Sequence, residues 1–141
     1  MSRLTFVFFA FFTCLLLALA SPVPVKDGEL VDIEKRITHV GRGTWYYPGL
    51  GNCGITNNAN DPVLAIGKGL YDRNGGSNCG QWVEIVNTAN GKKVYGQTRD
   101  SCPGCSDNDL DMSPALFQKV STLGTGVIQV SWHFMAKGWK P

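Results

Sequence analysis

Four cysteines within residues 37–141 constrain the fold of this chain more than any other feature. They are Cys53, Cys79, Cys102 and Cys105, whereas the fifth, Cys14, lies in an apolar amino-terminal run. An even number of cysteines in a small exported domain is typical of a disulfide framework. Four cysteines allow three pairings, and their spacing alone does not choose among them.

The first twenty residues have the pattern of a secretory signal peptide. Arg3 precedes the apolar run at residues 6–20, which ends in the small-x-small pattern Ala18-Leu19-Ala20. The run is too short to span a bilayer comfortably, and a segment with two prolines follows it at once. We therefore predict that residues 1–20 are removed and that the protein is secreted, extracellular and not anchored in a membrane.

Residues 21–36 predict a disordered pro-segment or linker. They are polar, carry two prolines and four acidic residues, and end in Lys35-Arg36. Cleavage after this basic pair would give a chain that begins at Ile37, whereas without cleavage the segment is a solvated tail. We favour cleavage, and in both cases residues 37–141 are expected to form one domain with a single core.

The charge balance does not indicate a nucleic-acid-binding protein. Thirteen lysines and arginines accompany eleven acidic residues, for a formal net charge of +2, and no basic patch is interleaved with aromatic residues. A zinc site would have to combine Cys102-x-x-Cys105 with His39 and His133, which are distant in sequence from each other and from the cysteines. We predict no metal, no cofactor, no nucleic-acid partner and a monomer.

Short β-type runs separated by Gly, Asn and Asp predict an all-β barrel or sandwich. Asn90-Gly91 is a hairpin turn signal, and Ser113-Pro114 supplies the N-cap and first-turn proline of one short helix. Leu70–Gly80 is interpreted as a glycine-rich loop. The predicted strands are Thr38–Tyr47, Val63–Ile66, Trp82–Asn87, Lys93–Arg99 and Val127–Phe134.

The stretch Asp100–Pro114 holds the clearest functional chemistry. It contains four carboxylates, the Cys-x-x-Cys pair and the helix start. Such a loop could bind a cation, contact sugar hydroxyls or donate a proton, but a calcium loop needs a closing glutamate and no Glu follows Glu84. Asp111 and Asp100 are therefore candidates for sugar binding or acid catalysis, and Asp107 and Asp109 are interpreted as solvated loop charges.

Five motifs in one order resemble the expansin and RlpA-like double-psi β-barrel superfamily, most closely its small single-domain fungal members, the loosenins. Barwin-type proteins, family 45 endoglucanases and a bacterial papain inhibitor share this barrel. The resemblance covers Ile37–Phe134 and implies a six-stranded double-psi β-barrel with a shallow polysaccharide groove on one face. The motifs are Gly43-Thr44-Trp45-Tyr46, Gly51-Asn-Cys53-Gly54, Cys79-Gly80-x-Trp82-Val-Glu84-Ile85, Asp100-x-Cys102-Pro103 and Leu110-Asp111-Met-Ser113.

The resemblance also implies groove residues. Thr44 matches the groove threonine after the first strand, Asp111 the groove aspartate, and Asp100 the aspartate that starts the Asp-x-Cys-Pro segment. Trp45 or Tyr47 could stack on a sugar ring, because alternate residues of a strand share a face.

The disulfide pairing implied by the resemblance joins Cys53 to Cys79 and leaves Cys102 with Cys105. In the loop-closure model the first bridge would stabilise the fold by about 3–4 kcal/mol and the second by about 2 kcal/mol. The first would hold the fold together, and the second would mainly fix the shape of the acidic loop.

Two departures from the superfamily bear on function. The groove tyrosine of bacterial expansins falls at Cys102, and Pro48 stands where family 45 hydrolases carry their base aspartate. Because hydrolysis normally takes two carboxylates, Pro48 argues against inverting hydrolysis.

We therefore expect a secreted protein that binds cell-wall polysaccharide, cellulose or chitin, and loosens it without cleavage. One alternative is a glycan-cleaving enzyme such as an RlpA-like lytic transglycosylase, with Asp111 as the general acid. Another is an inhibitor of a secreted cysteine protease, or a host-interaction protein, that uses the Leu70–Gly80 loop as its contact.

Overall fold

The computed structural model describes residues 37–141. The predictions for the signal peptide with Cys14, and for the segment that ends in Lys35-Arg36, lie outside the described residues. None of the helices within the described range is long and apolar enough to cross a membrane.

The described residues form six strands, two helices and one short turn. The strands are β1 His39–Trp45, β2 Val63–Gly67, β3 Trp82–Asn87, β4 Lys93–Cys102, β5 Leu110–Met112 and β6 Ile128–Phe134. The helices are α1 Lys68–Arg73 and α2 Pro114–Gln118, and a 3-10 turn lies at Leu123–Thr125.

The six strands close into a barrel in the order β1-β5-β2-β4-β3-β6. Strand β1 runs parallel to β5 and β2 runs parallel to β4, whereas the other neighbours are antiparallel. The prediction of an all-β, six-stranded barrel is confirmed. Closure leaves none of these six strands with an unpaired edge.

Alternate side chains of each strand fill the barrel. In β6, for example, Trp132 is 1% exposed and its ring stacks on His39 with centroids 4.0 Å apart. Helix α2 covers part of the core with Leu116 and Phe117, both fully buried. Its start is as predicted, because the Leu116 N–H donates to Ser113 Oγ over 3.3 Å.

Two elements differ from the sequence prediction. Strand β5 has only three residues, too few to show a hydrophobic period, and it lies inside the stretch interpreted as an acidic loop. The interpretation of Leu70–Gly80 as a loop is wrong for its first residues, because helix α1 continues to Arg73. Leu70 is 1% exposed, and burial of this side chain holds the short helix against the barrel.

Both disulfides have the pairing that the resemblance implied. Cys53 is bonded to Cys79, with their Cα atoms 5.5 Å apart, and Cys102 is bonded to Cys105, with a Cα–Cα distance of 5.3 Å. A zinc site at Cys102-x-x-Cys105 would need both cysteines as thiolates. In this structure their sulfur atoms are bonded to each other instead.

The interpretation of Asp109 as a solvated charge is wrong. Its side chain is 7% exposed and pairs with the Arg42 guanidinium over 3.0 Å. It also accepts hydrogen bonds from the backbone N–H groups of Arg42 (2.8 Å) and Ser106 (2.9 Å). Burial alone would raise the pKa of Asp109, but these hydrogen bonds outweigh it and lower the pKa to about 2. Asp109 therefore ties the loop before β5 to strand β1.

Candidate functional site

Strand register aligns four residues across the barrel surface. Thr44 of β1 is the Cα partner of Asp111 on β5, which in turn partners Ala65 on β2. Ala65 partners Asp100 on β4. Because directly opposed residues point to the same face of a sheet, these four form one row, here called the carboxylate row. Its two aspartates stand two strands apart, about 10 Å between Cα atoms from the usual strand spacing, with a small side chain between them.

The Thr44 hydroxyl donates a hydrogen bond to Asp111 Oδ1 over 2.7 Å. Burial raises the pKa of Asp111, the negative charge of Asp100 raises it further, and the hydrogen bond from Thr44 opposes both. Asp111 therefore holds its proton to a higher pH than a solvated aspartate. It can accept hydrogen bonds when ionised and donate a proton when neutral.

Asp100 is fixed from one side. Its Oδ1 accepts hydrogen bonds from the backbone N–H groups of Asn52 (2.9 Å) and Ser101 (2.8 Å). Asn52 also donates its side-chain amide to Ser101 Oγ over 2.5 Å. The loop around Asn52 is thereby held against β4, and Asp100 Oδ1 is committed to the backbone.

Tyr46 interacts electrostatically with both aspartates and was not among the residues predicted for the site. Its backbone N–H donates to Met112 O over 2.9 Å, which extends the pairing of β1 with β5 by one residue. The pKa of the Tyr46 phenol is raised well above its ordinary value by burial, by the charges of Asp100 and Asp111, and by a side-chain hydrogen bond with Asp100. Alternation along the strand could have found it, because Thr44 and Tyr46 share a face.

The two aromatic candidates lie apart from the row. Trp45 packs against the core, and its indole N–H donates to Leu123 O over 3.1 Å. Tyr47 is 72% exposed, and its ring meets the Trp45 ring edge-on at 5.6 Å. Leu50 is also exposed, at 74%. Of the two predicted aromatics, Tyr47 is the one with a free ring surface.

Cys102 and Cys105 lie next to Asp111 of the carboxylate row. Their sulfur atoms and one carboxylate oxygen are all within 4.8 Å of one another, and among residues 37–141 this is the one set of three His, Cys, Asp or Glu side chains with metal-ligand spacing. Because the sulfurs are bonded to each other, they lack the thiolate form that binds metals. The carboxylate row offers carboxylate and hydroxyl groups, and Tyr46 adds a phenol; such groups suit contact with sugar hydroxyls or proton transfer.

Comparison with known proteins gives the chain its relatives. The Barwin family model matches residues 68–135. A papain inhibitor from Streptomyces mobaraensis is 28% identical over 134 residues, which cover 89% of this chain and 92% of the inhibitor. The solved structure of a Streptomyces papain inhibitor is 30% identical, with a TM-score of 0.61 over 70% of this chain and 94% of that one.

An expansin shares the barrel as well. The structure of a Clavibacter michiganensis expansin mutant in complex with cellohexaose is 26% identical and has a TM-score of 0.64. The match covers 74% of this chain and 54% of the expansin, so the chain spans about half of that protein. The family match runs through β3, β4, β5 and β6, and the solved relatives share the closed barrel. Residues 68–135 of this chain therefore form a barwin family match, and the described domain has the expansin-like double-psi β-barrel fold.

Proposed function

We propose that this protein binds a cell-wall polysaccharide, cellulose or chitin, across the carboxylate row and loosens it without cleaving it. The observation that carries the proposal is the alignment of Thr44, Asp111 and Asp100 in one row across the barrel strands, with the Tyr46 phenol hydrogen-bonded to Asp100 and close enough to respond to the charges of both carboxylates. The expansin that shares the barrel was solved with cellohexaose bound, which supports a glycan ligand.

The chemistry of the row suits a chain of sugars. Carboxylate oxygens are strong acceptors for hydroxyl donors, because a charge-assisted hydrogen bond is about twice as strong as a neutral one. Asp100 Oδ1 is occupied, so Asp111 and the Tyr46 phenol offer the better contacts. The ring of Tyr47 is exposed but lies apart from the carboxylate row, so the proposed glycan contact does not include it.

Binding without cleavage is favoured by the state of the two carboxylates. Hydrolysis requires one carboxyl group as acid and a second as base or nucleophile. Asp111 can serve as the acid. Asp100, the only other carboxylate of the row, already accepts hydrogen bonds from two backbone N–H groups and has a hydrogen bond with Tyr46. Asp100 is thus poorly suited to activate water, and Pro48 supplies no carboxylate in its place.

Binding to insoluble cellulose and chitin tests the proposal. We expect Asp111→Asn to bind at least about tenfold more weakly than wild type, because a hydrogen bond to a charged group contributes about 1.5–3 kcal/mol. Glu84→Gln is the matched control, since Glu84 lies on β3 across the barrel and pairs with Lys93 at 3.0 Å. Equal binding of wild type and Asp111→Asn to both polymers would rule out this site.

Glycan cleavage is a second candidate, favoured by the raised pKa of Asp111. Long incubation with purified wall polysaccharide, followed by measurement of reducing ends and anhydro-sugars, separates the two. We expect no release. If wild type releases products and Asp111→Asn does not, the protein cleaves the polysaccharide by acid catalysis and the proposal of loosening without cleavage is wrong.

Inhibition of a cysteine protease is a third candidate, favoured by the likeness to papain inhibitors over nearly their full length. The contact would be the loop after α1, where Gly75 and Gly76 both have positive φ. Titration of papain activity with the purified protein tests it. Inhibition that Asp111→Asn leaves intact would assign a function separate from the carboxylate row.

A further inference from the structure

The shorter disulfide lies next to a proton-carrying side chain. Cys102 is the last residue of β4 and pairs with Gly67 at the end of β2. The sulfurs of Cys102 and Cys105 lie within 4.8 Å of an Asp111 carboxylate oxygen. The longer bridge has other neighbours: Cys79 Sγ lies 3.8 Å from the Tyr71 phenol oxygen.

The ring closed by this bridge is open to solvent. Pro103 and Gly104 are exposed, and both cysteines are half-buried. A side chain added at Gly104 would meet nothing within 4 Å, and the same is true at Gly54 beside Cys53. Because the cysteines of the longer bridge are half-buried as well, the two bridges differ in loop length and in the nearby carboxyl group rather than in exposure. The two cysteines are three positions apart in sequence, and closing so short a loop removes little entropy from the unfolded chain. Opening the bridge would leave the pairing of β4 with β2 in place.

We propose that the Cys102–Cys105 bridge is a redox-active disulfide that exchanges with an external dithiol, and that the Asp111 carboxyl group moves the proton. The thiolate of the dithiol attacks one sulfur, the S–S bond breaks, and the other sulfur leaves and takes the proton of Asp111. The second thiol then gives its proton to the Asp111 carboxylate and attacks the mixed disulfide. The dithiol ends oxidised, and both cysteines end reduced; the sulfur released last takes a proton from water.

The environment of Asp111 supports this role. Burial and the charge of Asp100 on β4 keep its proton bound to a higher pH than usual, the Thr44 hydroxyl opposes them, and the Tyr46 phenol is the other titratable group against it. A neutral carboxyl can protonate the leaving sulfur. An ionised one repels both the attacking and the leaving thiolate, so exchange should speed up as the pH falls through the pKa of Asp111.

Reduction of the folded protein by dithiothreitol tests whether the Cys102–Cys105 bridge is redox-active. Thiols are alkylated at time points and located by peptide mapping, while circular dichroism reports the fold. We expect Cys102 and Cys105 to be labelled at least about tenfold faster than Cys53 and Cys79, with the β-barrel spectrum retained. Equal labelling rates for the two bridges, or labelling only on unfolding, would overturn the proposal.

The pH dependence of the rate tests the role of Asp111. The rate constant, normalised to the concentration of dithiothreitol thiolate, should rise about threefold to tenfold between pH 7 and pH 4.5 in wild type. Asp111→Asn should make the profile flat, and the distant Glu84→Gln should leave it unchanged. Thr44→Val removes the hydrogen bond that favours the carboxylate, so it should move the midpoint to higher pH. A flat wild-type profile, or one that Thr44→Val does not move, would exclude Asp111 from the exchange. The measurement uses no polysaccharide, so its outcome is independent of the proposed function.

Discussion

Replacing Cys53 and Cys79 together by serine should lower the melting temperature of the domain by about 15–25 °C. The bridge joins two residues that are 26 positions apart in sequence, and the loop-closure model assigns it about 3–4 kcal/mol of stability. For a domain of this size each kcal/mol corresponds to roughly 4–8 °C. The bridge also links the loop that holds Asp100 to the segment before β3, so its removal frees two long connections at once.

The matched variant is the double serine replacement of Cys102 and Cys105. It loses about 2 kcal/mol, so it should melt about 10 °C below wild type and stay folded at 25 °C. Its ligand binding should weaken, because the loop that joins β4 to β5 loses its fixed shape. Thermal unfolding followed by circular dichroism measures both variants. A larger loss of stability from the shorter bridge would contradict the assignment, as would a disulfide-linked peptide that joins Cys53 to Cys102.

The sequence predicted the elements whose pattern is local. Trp82–Asn87 alternates over its whole length and was predicted at its observed bounds, and Ser113-Pro114 marked the start of α2. Strand β5 has no local signal, because three residues cannot show a period. It exists because Asp111 and its neighbours pair with β1 on one side and β2 on the other.

The site was predictable in part. Asp100 and Asp111 were candidates from the acidic stretch and Thr44 from the family resemblance, and the strand register puts all three in one row. Tyr46 was not among the predicted site residues, although it shares a strand face with Thr44. Local sequence patterns could not predict the burial of Asp109, because its partner Arg42 lies 67 positions away in the sequence. Long-range ion pairs of this kind follow from the closed barrel and not from the loop sequence.

The packing of the loop before β5 leads to the second large effect. Gly41 of β1 lies so close to this loop that an added Cβ would stand 2.2 Å from Asn108 O. The same carbonyl accepts the Trp132 indole N–H over 2.7 Å, and the next residue, Asp109, binds the backbone of Arg42. The Asn108 carbonyl cannot move away from an added Cβ without breaking these hydrogen bonds. The absence of a side chain at Gly41 is therefore what allows the loop to lie so close to β1.

Gly41→Ala should therefore destabilise the domain by about 2–4 kcal/mol, from overpacking and lost hydrogen bonds. The loop leads directly into β5, so its displacement should also separate Asp111 from Thr44 and weaken glycan binding. Gly67→Ala should act alike from the opposite side, because its Cβ would stand 2.2 Å from Ser106 O. Gly104→Ala is the control, since its Cβ would meet nothing within 4 Å, and it should change stability by no more than about 0.5 kcal/mol. Urea unfolding measures all three variants. A Gly41→Ala protein as stable as the control would mean that the loop yields freely, and the carboxylate row would then lack the rigid support on which its proposed binding rests.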